Sequence, residues 1–299
     1  MASEYVSIGL SVVDYLFLCE RPVRGVIQEA ADHLVQGGGM AATAAVTIAR
    51  LGGRAEMWTR VGDEPGGRFI LEQLAQEGVD TTQVKVCPGG RSPACTVIVD
   101  RAKGERYFTY FPGRNLDAGC EGLDFSRLDD CRAVLVDCHW HEAQLRAARR
   151  AQQRGIPVCC DIGGISYRST ELLPHVDYPI YSADAARNHT GTGAMEEALW
   201  KLAELGGKAP MITLGQEGCI WLEDGQVRRC PAFRVEVVDT TGCGDVFHGA
   251  FTFGLGRGWD LRANVRFASA TAALKCRALG GRTGIPTYDE VVEFLARHP

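Results

Sequence analysis

The stretch VVDTTGCGDVFHGAF, Val237 to Phe251, brings three glycines, a cysteine and two aspartates together where a strand-like run gives way to a helical pattern. A helix beginning there leaves its first amides, from Gly242 to about Asp245, without intrahelical acceptors. With the helix dipole, those N–H groups make a place for anionic oxygen, and glycines let a phosphate reach the backbone. The Asp245 carboxylate at the same N-terminus is held ionised and could accept a proton from an alcohol. Gly244, next to the base, is where an added side chain would meet a bound phosphate and where a positive φ would be most awkward. The bland alternative is an aspartate that caps a helix after a glycine turn and does nothing else.

Other polar groups also follow apolar runs, where ligands bind in open α/β sheets. Asp14 follows IGLSVV, Gly37 to Gly39 precede a helical pattern, Asp137 and His139 end AVLVDCH, and Thr213 to Gly218 follow PMI. One crevice could collect them all. The better-known phosphate loops are missing: there is no GxxxxGK[ST], and GCGDVF has Phe247 where GxGxxG needs its last glycine. The cluster DCHWHE could be read as metal ligands, but on a strand Cys138 and His139 point to opposite faces. The twelve cysteines form no CxxC pair and read as reduced thiols used as small hydrophobes.

The elements that must position these groups follow from the pattern. Short apolar runs (YVSIGLSVV, AVLVDC, PVCCDI, MITLG) alternate with helical stretches such as GRFILEQLAQEGV and EEALWKLAELGG. Strands apolar on both faces, separated by helices, imply a parallel sheet covered on both sides. The expected fold is α/β: a three-layer, doubly wound, mainly parallel sheet. Residues 15–36 and 91–112 break the rhythm with strands and no helix, and ACTVIVDRAKGERYFTYFP reads as a hairpin turning at Ala102 to Gly104. They predict a small antiparallel β lid on a single domain spanning 1–299. Net charge is −5 with both signs interspersed, so there is no basic footprint for nucleic acid. The N-terminus lacks a basic signal region, and no apolar run approaches the roughly 20 residues of a membrane helix. A cytoplasmic protein without a membrane partner is expected.

DTTGCGDVF resembles the C-terminal signature of the ribokinase-like (PfkB) family of carbohydrate and nucleoside kinases. GGGMAATAAVTIARLGGRAEMWTRVGDEPGGRFILEQL resembles its N-terminal signature, and VVDYLF its first-strand aspartate. The likeness spans essentially the whole chain and implies an ATP-dependent kinase using Mg²⁺ that phosphorylates a primary hydroxyl. It implies Asp245 as general base and the Gly242, Cys243 and Gly244 amides as the anion hole. Asp14 would bind sugar hydroxyls, with Gly38 and Gly39 letting the sugar lie against backbone. In TLGQEG, Thr213, Gly215 and Gly218 would border ATP, and the small residues around Ala268 to Ala272 would pack near adenine. Asp239 falls where relatives bind a monovalent cation such as K⁺.

Two departures stand out. The family's substrate-contacting asparagine is Thr43, and its Asn-x-x-Glu element, tied to Mg²⁺, reads SADA, leaving Ser182 and Asp184. Within the family the texture is most similar to sulfofructose kinase. An anionic sugar would need cations, and the sequence shows no convincing basic cluster: the crevice offers only His139, and Arg106 and Arg114 lie at the lid hairpin, where exposed arginines are usually solvated. A neutral ketose is therefore expected to compete well. A nucleoside kinase, clamping a base with Phe108, Tyr110 and Phe111, and a catalytically decayed sugar-binding regulator are the rival readings. Unpaired lid edges also suggest a homodimer joined through the lid.

Overall fold

The computed structural model describes residues 3–23, 25–103, 105–163 and 169–298. The first half of the chain runs β1 (Tyr5–Ile8), β2 (Val12–Cys19), β3 (Asp32–Gly38), α1 (Met40–Arg50), β4 (Ala55–Trp58), β5 (Arg60–Gly62), α2 (Pro65–Gln76), β6 (Lys85–Cys87), β7 (Ala94–Asp100) and β8 (Glu105–Phe111). There follow β9 (Ala133–Val136), α3 (His141–Arg154), β10 (Val158–Ile162), α4 (Ser169–Leu172), β11 (Tyr178–Ser182), α5 (Ala183–Thr190) and α6 (Met195–Ala203). The last part holds β12 (Met211–Thr213), β13 (Cys219–Glu223), β14 (Gln226–Cys230), α7 (Cys243–Gly256), α8 (Leu261–Lys275) and α9 (Tyr288–Arg297).

The large sheet has the order β14-β13-β12-β11-β10-β9-β1-β4. Its pairs are parallel from β4 through β12, and antiparallel at β12–β13 and β13–β14. Successive side chains of one strand enter different cores, as the two-residue period requires. Leu135 and Cys159 pack with α1, α7 and α8, whereas Val136 and Cys160 pack with α3, α5 and α6. This is the expected three-layer α/β fold. The cysteines are free thiols serving as small core residues on both faces. Among the described residues no helix is long and apolar enough to cross a membrane.

The apolar run YVSIGLSVV divides into β1 and β2, and the break is at Gly9. Its φ is 151°, and an added Cβ there would overlap the Asp137 carboxylate. Asp14 consequently lies on β2 in a second sheet, not at the end of a large-sheet strand. That sheet has the order β3-β2-β7-β8. The pairs β2–β3 and β7–β8 are antiparallel, the second across a short connection, while the seam β2–β7 between the two segments is parallel. Gly104, in the expected turn, lies outside the described residues. One face buries Val12, Leu16, Cys95 and Val97. The opposite face exposes Tyr15, Phe17, Val35 and Tyr107.

Candidate active site

The loop Asp239–Gly242 feeds α7 through Gly242, the N-cap, whose φ is 72°. A Cβ at Gly242 would also lie 3.0 Å from the backbone of Gly281. The glycine that the backbone requires is therefore Gly242. Gly244 has no positive φ, and a Cβ added there meets nothing within 4 Å, so it borders open space. The Cys243 amide does not contribute to the expected anion hole, because its N–H donates to the Thr240 carbonyl at 3.2 Å and closes the turn. Among the described residues the amides of Gly242, Gly244 and Asp245 have no oxygen acceptor. Of the expected three donors Gly242 and Gly244 remain open, and Asp245 takes the place of Cys243.

Asp239 is 2% exposed and holds this loop in shape. Its Oδ1 accepts from the Thr241 amide at 2.8 Å and hydroxyl at 2.7 Å, and its Oδ2 from the Gly280 amide at 2.8 Å. The Lys275 ammonium, itself fully buried, donates to the Asp239 carbonyl at 3.0 Å and to the Thr241 carbonyl. The carboxylate already accepts three N–H and O–H donors, and two loop carbonyls face a cation of the protein. This donor set does not fit K⁺.

Asp245 opens α7 beside a buried arm of polar residues. Burial, then the Asp161 carboxylate, pushes its proton affinity up to about 7. His248, one turn on, has Nδ1 2.6 Å from the Gly244 carbonyl and 3.2 Å from Asp161 Oδ2. Asp161 ends β10, and burial followed by Asp137 raises it above the carboxylate range. Asp137 directly follows β9 and ties the corner together: it accepts from the Leu10 amide at 2.7 Å, the Ala41 amide at 3.1 Å and Gln144 at 2.8 Å. Burial opposes its ionisation, but His139 and these donors hold it below its ordinary value.

The second half of the crevice lies across from α7. Asp14 is 8% exposed, and burial pushes it up to about 7 against the pull of Arg282. A Cβ at Gly38 would overlap Asp14 Oδ2, and one at Gly37 would lie 2.5 Å from Arg282 Nη1. Gly39, with φ 94°, would place a Cβ 2.5 Å from the Leu10 carbonyl. The glycine run thus makes room first for the protein's own charged groups and backbone. Thr43 does not reach openly into the crevice, since its hydroxyl accepts from Arg282 Nε at 3.3 Å. Arg282 also donates to the Gly38 carbonyl at 3.0 Å, while its Nη1 and the Nε2 of Gln36 are buried without partners among the described residues.

Register places Tyr110, Phe108 and Arg106 on the Asp14 face of the small sheet. Arg106 stacks 5.8 Å from the centre of the Phe108 ring, and its charge, after hydrogen bonding from Cys276 and the Lys275 charge, lowers the proton affinity of the Cys243 thiol. Arg114 is not brought in: it is exposed and stacks 6.0 Å from the centre of Phe111, which belongs to the opposite face. His139 is half-buried against Asp137; burial opposes its charge, but that carboxylate pushes it up to about 9. On its other side His139 lines a cleft of about 870 Å³ with Arg60, Trp140, His141 and Arg146.

Along the remaining rim, Thr213 ends β12 with its hydroxyl on the Tyr181 carbonyl at 3.3 Å. Gly215 has φ 58° and open space, and Gly218 has φ 97° against the Cys230 carbonyl. Ser182 caps α5 through the Ala185 amide at 3.1 Å, but Asp184 is exposed and paired with Arg187 at 2.6 Å. Ala268 is fully buried in the core, so the half-exposed small stripe on α8 is Ser269, Ala272 and Ala273.

Comparison with known proteins decides the family. The model of the pfkB family carbohydrate kinases matches residues 2–288. The chain belongs to that family. It is 31% identical to the aminoimidazole riboside kinase of Salmonella typhimurium, over 87% of this chain and 88% of the relative. A provisionally assigned ribokinase from Agrobacterium tumefaciens superposes with a TM-score of 0.95 at 33% identity, over 100% of this chain and 99% of that one. The ribokinase of Thermotoga maritima gives 0.85 at 26% identity, over 98% and 99%. Phosphoryl transfer to an alcohol is the reaction class of this pfkB kinase. The sequence reading missed Arg282, Lys275, Asp161 and His248. Their only signal was a lone charged or polar residue inside a small or apolar run, as in AALKCRA and VCCDI.

Proposed function

We propose that this pfkB kinase transfers the γ-phosphoryl group of ATP to a primary hydroxyl of a ketose-like sugar. The observation that carries the reading is the pairing of Asp245 with amides at the start of α7 that have no oxygen acceptor among the described residues, opposite the buried Asp14. Sugar hydroxyls donate to Asp14, which sets the primary hydroxyl against Asp245. The hydroxyl proton passes to Asp245 as its oxygen bonds to the γ-phosphorus. The bond from that phosphorus to the β,γ-bridging oxygen breaks, and ADP leaves. The amides of Gly242, Gly244 and Asp245, with Arg106 across the crevice, stabilise charge on the transferred group. The turn Thr213–Gly218 and the stripe at Ala272 border the nucleotide.

Mg²⁺ would neutralise the phosphates. Among the described residues no group of three His, Cys, Asp or Glu side chains stands ready for a metal, so the ion would be held mainly by the nucleotide. In this reading the chain is one domain and the small sheet is its lid, closing over the sugar to exclude water. The exposed face with Tyr15, Phe17, Val35 and Tyr107 is then a dimer surface for a second lid, and the enzyme works in the cytoplasm. Tyr15→Glu should turn a dimer into a monomer in analytical sedimentation.

A riboside acceptor is the second reading. It is favoured by the similarity to an aminoimidazole riboside kinase and by Tyr110 on the Asp14 face. A sulfonated ketose such as sulfofructose would need His139 and Arg60 as its cations. Measuring ADP release with D-fructose, sulfofructose, D-ribose, a sugar acid and ribosides separates these acceptors. Release dependent on none of them would overturn the sugar-kinase reading.

A further inference from the structure

The loop that carries the anion hole is built around a positive charge, and that charge belongs to the chain. Lys275 is the last residue of α8 and is fully buried. Its ammonium donates to the carbonyls of Asp239 and Thr241, and no salt bridge to a carboxylate is formed among the described residues. The next residue, Cys276, accepts at its carbonyl from the Val238 amide at 2.8 Å and the Asp239 amide at 3.2 Å. The end of α8 and the extended segment entering the loop are therefore locked together, with the ammonium inside the turn. A buried ammonium with carbonyl partners alone is costly to keep, since desolvation disfavours its charge. Burial accordingly lowers the Lys275 proton affinity, and Asp239 is the largest influence raising it again.

We propose that Lys275 is the permanent cation of the phosphate loop, a positioning residue that orients the Asp239 and Thr241 carbonyls inward so that the Gly242, Gly244 and Asp245 amides point outward, and that the enzyme needs no monovalent metal ion. The inference rests on the kinase reading, and it departs from the expectation of K⁺ at Asp239. Three donors on the carboxylate and a resident ammonium on both carbonyls mean that an incoming ion would have to displace or approach a positive charge already in place.

The test uses the whole chain in buffers whose only monovalent cation is K⁺, Na⁺ or choline. Both the thermal shift produced by MgATP and sugar-dependent ADP release are measured. Wild-type protein should give values within about twofold across the three salts. Lys275→Ala removes the charge and opens space at the turn. It should lose about ten- to a hundredfold in turnover, as when an anion site loses its preorganisation. Methylammonium or K⁺ should restore part of that loss, whereas choline, too large for the space, should not. A wild-type enzyme that requires K⁺ for the ATP shift or for turnover overturns the proposal, and this arm needs no variant to fold. A folded Lys275→Ala protein with undiminished turnover overturns it as well. If MgATP shifts the melting temperature in none of the salts, the kinase reading itself has failed instead.

Discussion

Asp239 and Asp14 are both buried carboxylates of one crevice, yet they are treated in opposite ways. Asp239 receives three N–H or O–H donors, and a lysine fills the carbonyls around it. The Asp14 carboxylate accepts no hydrogen bond among the described residues, and burial lifts it to about 7 despite Arg282. Beside it, Arg282 Nη1 and Gln36 Nε2 are buried and unpaired. Buried polar groups without partners are costly. On the proposed reading, the phosphate end is thus finished before any ligand arrives, while the sugar end keeps an unmet demand. The difference suits their tasks: charge stabilisation needs dipoles fixed in advance, whereas selection gains from groups that only the correct substrate satisfies.

The largest expected effect strikes the finished end. Asp245→Asn keeps the shape but cannot take a proton, and should lower kcat by about 10²–10⁴ while MgATP still binds. Near-normal turnover in steady-state kinetics would dissolve the comparison, because the preorganised end would then lack its base. The variant should also be more stable at pH 8 than the wild type, and less so at pH 5. The folded-state pKa of about 7 exceeds the unfolded aspartate value, so ionising Asp245 removes stability as pH rises toward 7. Melting curves at the two pH values read this directly.

At the unfinished end, Asp14→Ala should reduce kcat/KM by about 2–4 kcal/mol, two charged hydrogen bonds to the sugar being lost. The effect should appear for the sugar and not for MgATP. Gly38→Ala sharpens the point. Its methyl would overlap Asp14 Oδ2, so it should push the carboxylate aside and raise the sugar KM by about tenfold, leaving kcat closer to normal. A Gly38→Ala enzyme with unchanged KM would mean that Asp14 is free to move and not held by its burial.

The smallest effect concerns the arm joining the two ends. Asp161 raises the proton affinity of Asp245, second only to burial. Asp161→Asn removes a buried acid that competes with Asp245 for ionisation, so the acid limb of kcat/KM should move to lower pH. Asp14 and Arg282, Asp137 and His139, and Cys243 and His248 remain as the other charged or titratable groups facing the site. A limb that stays in place would assign it to Asp14 instead.

Much of this molecule was legible without coordinates. Alternating strand and helix periods with two strand-only interruptions specified the three layers and the small sheet, because burial on one or two faces writes its period into neighbouring residues. The glycine turn into α7 and Asp245 were equally local, since helix capping and exposed amides depend on a few consecutive residues. Register, break points and partners were not. Gly9 splits an apolar run because Asp137, far along the chain, occupies the space where its side chain would be. Arg282 takes up Thr43 and the Gly38 carbonyl from the other end of the sequence. Lys275 replaces an expected metal ion because α8 happens to end beneath the Asp239 loop. No spacing encodes such contacts: a buried charge is matched by whichever carbonyls the fold brings within reach, and only the folded chain determines which those are.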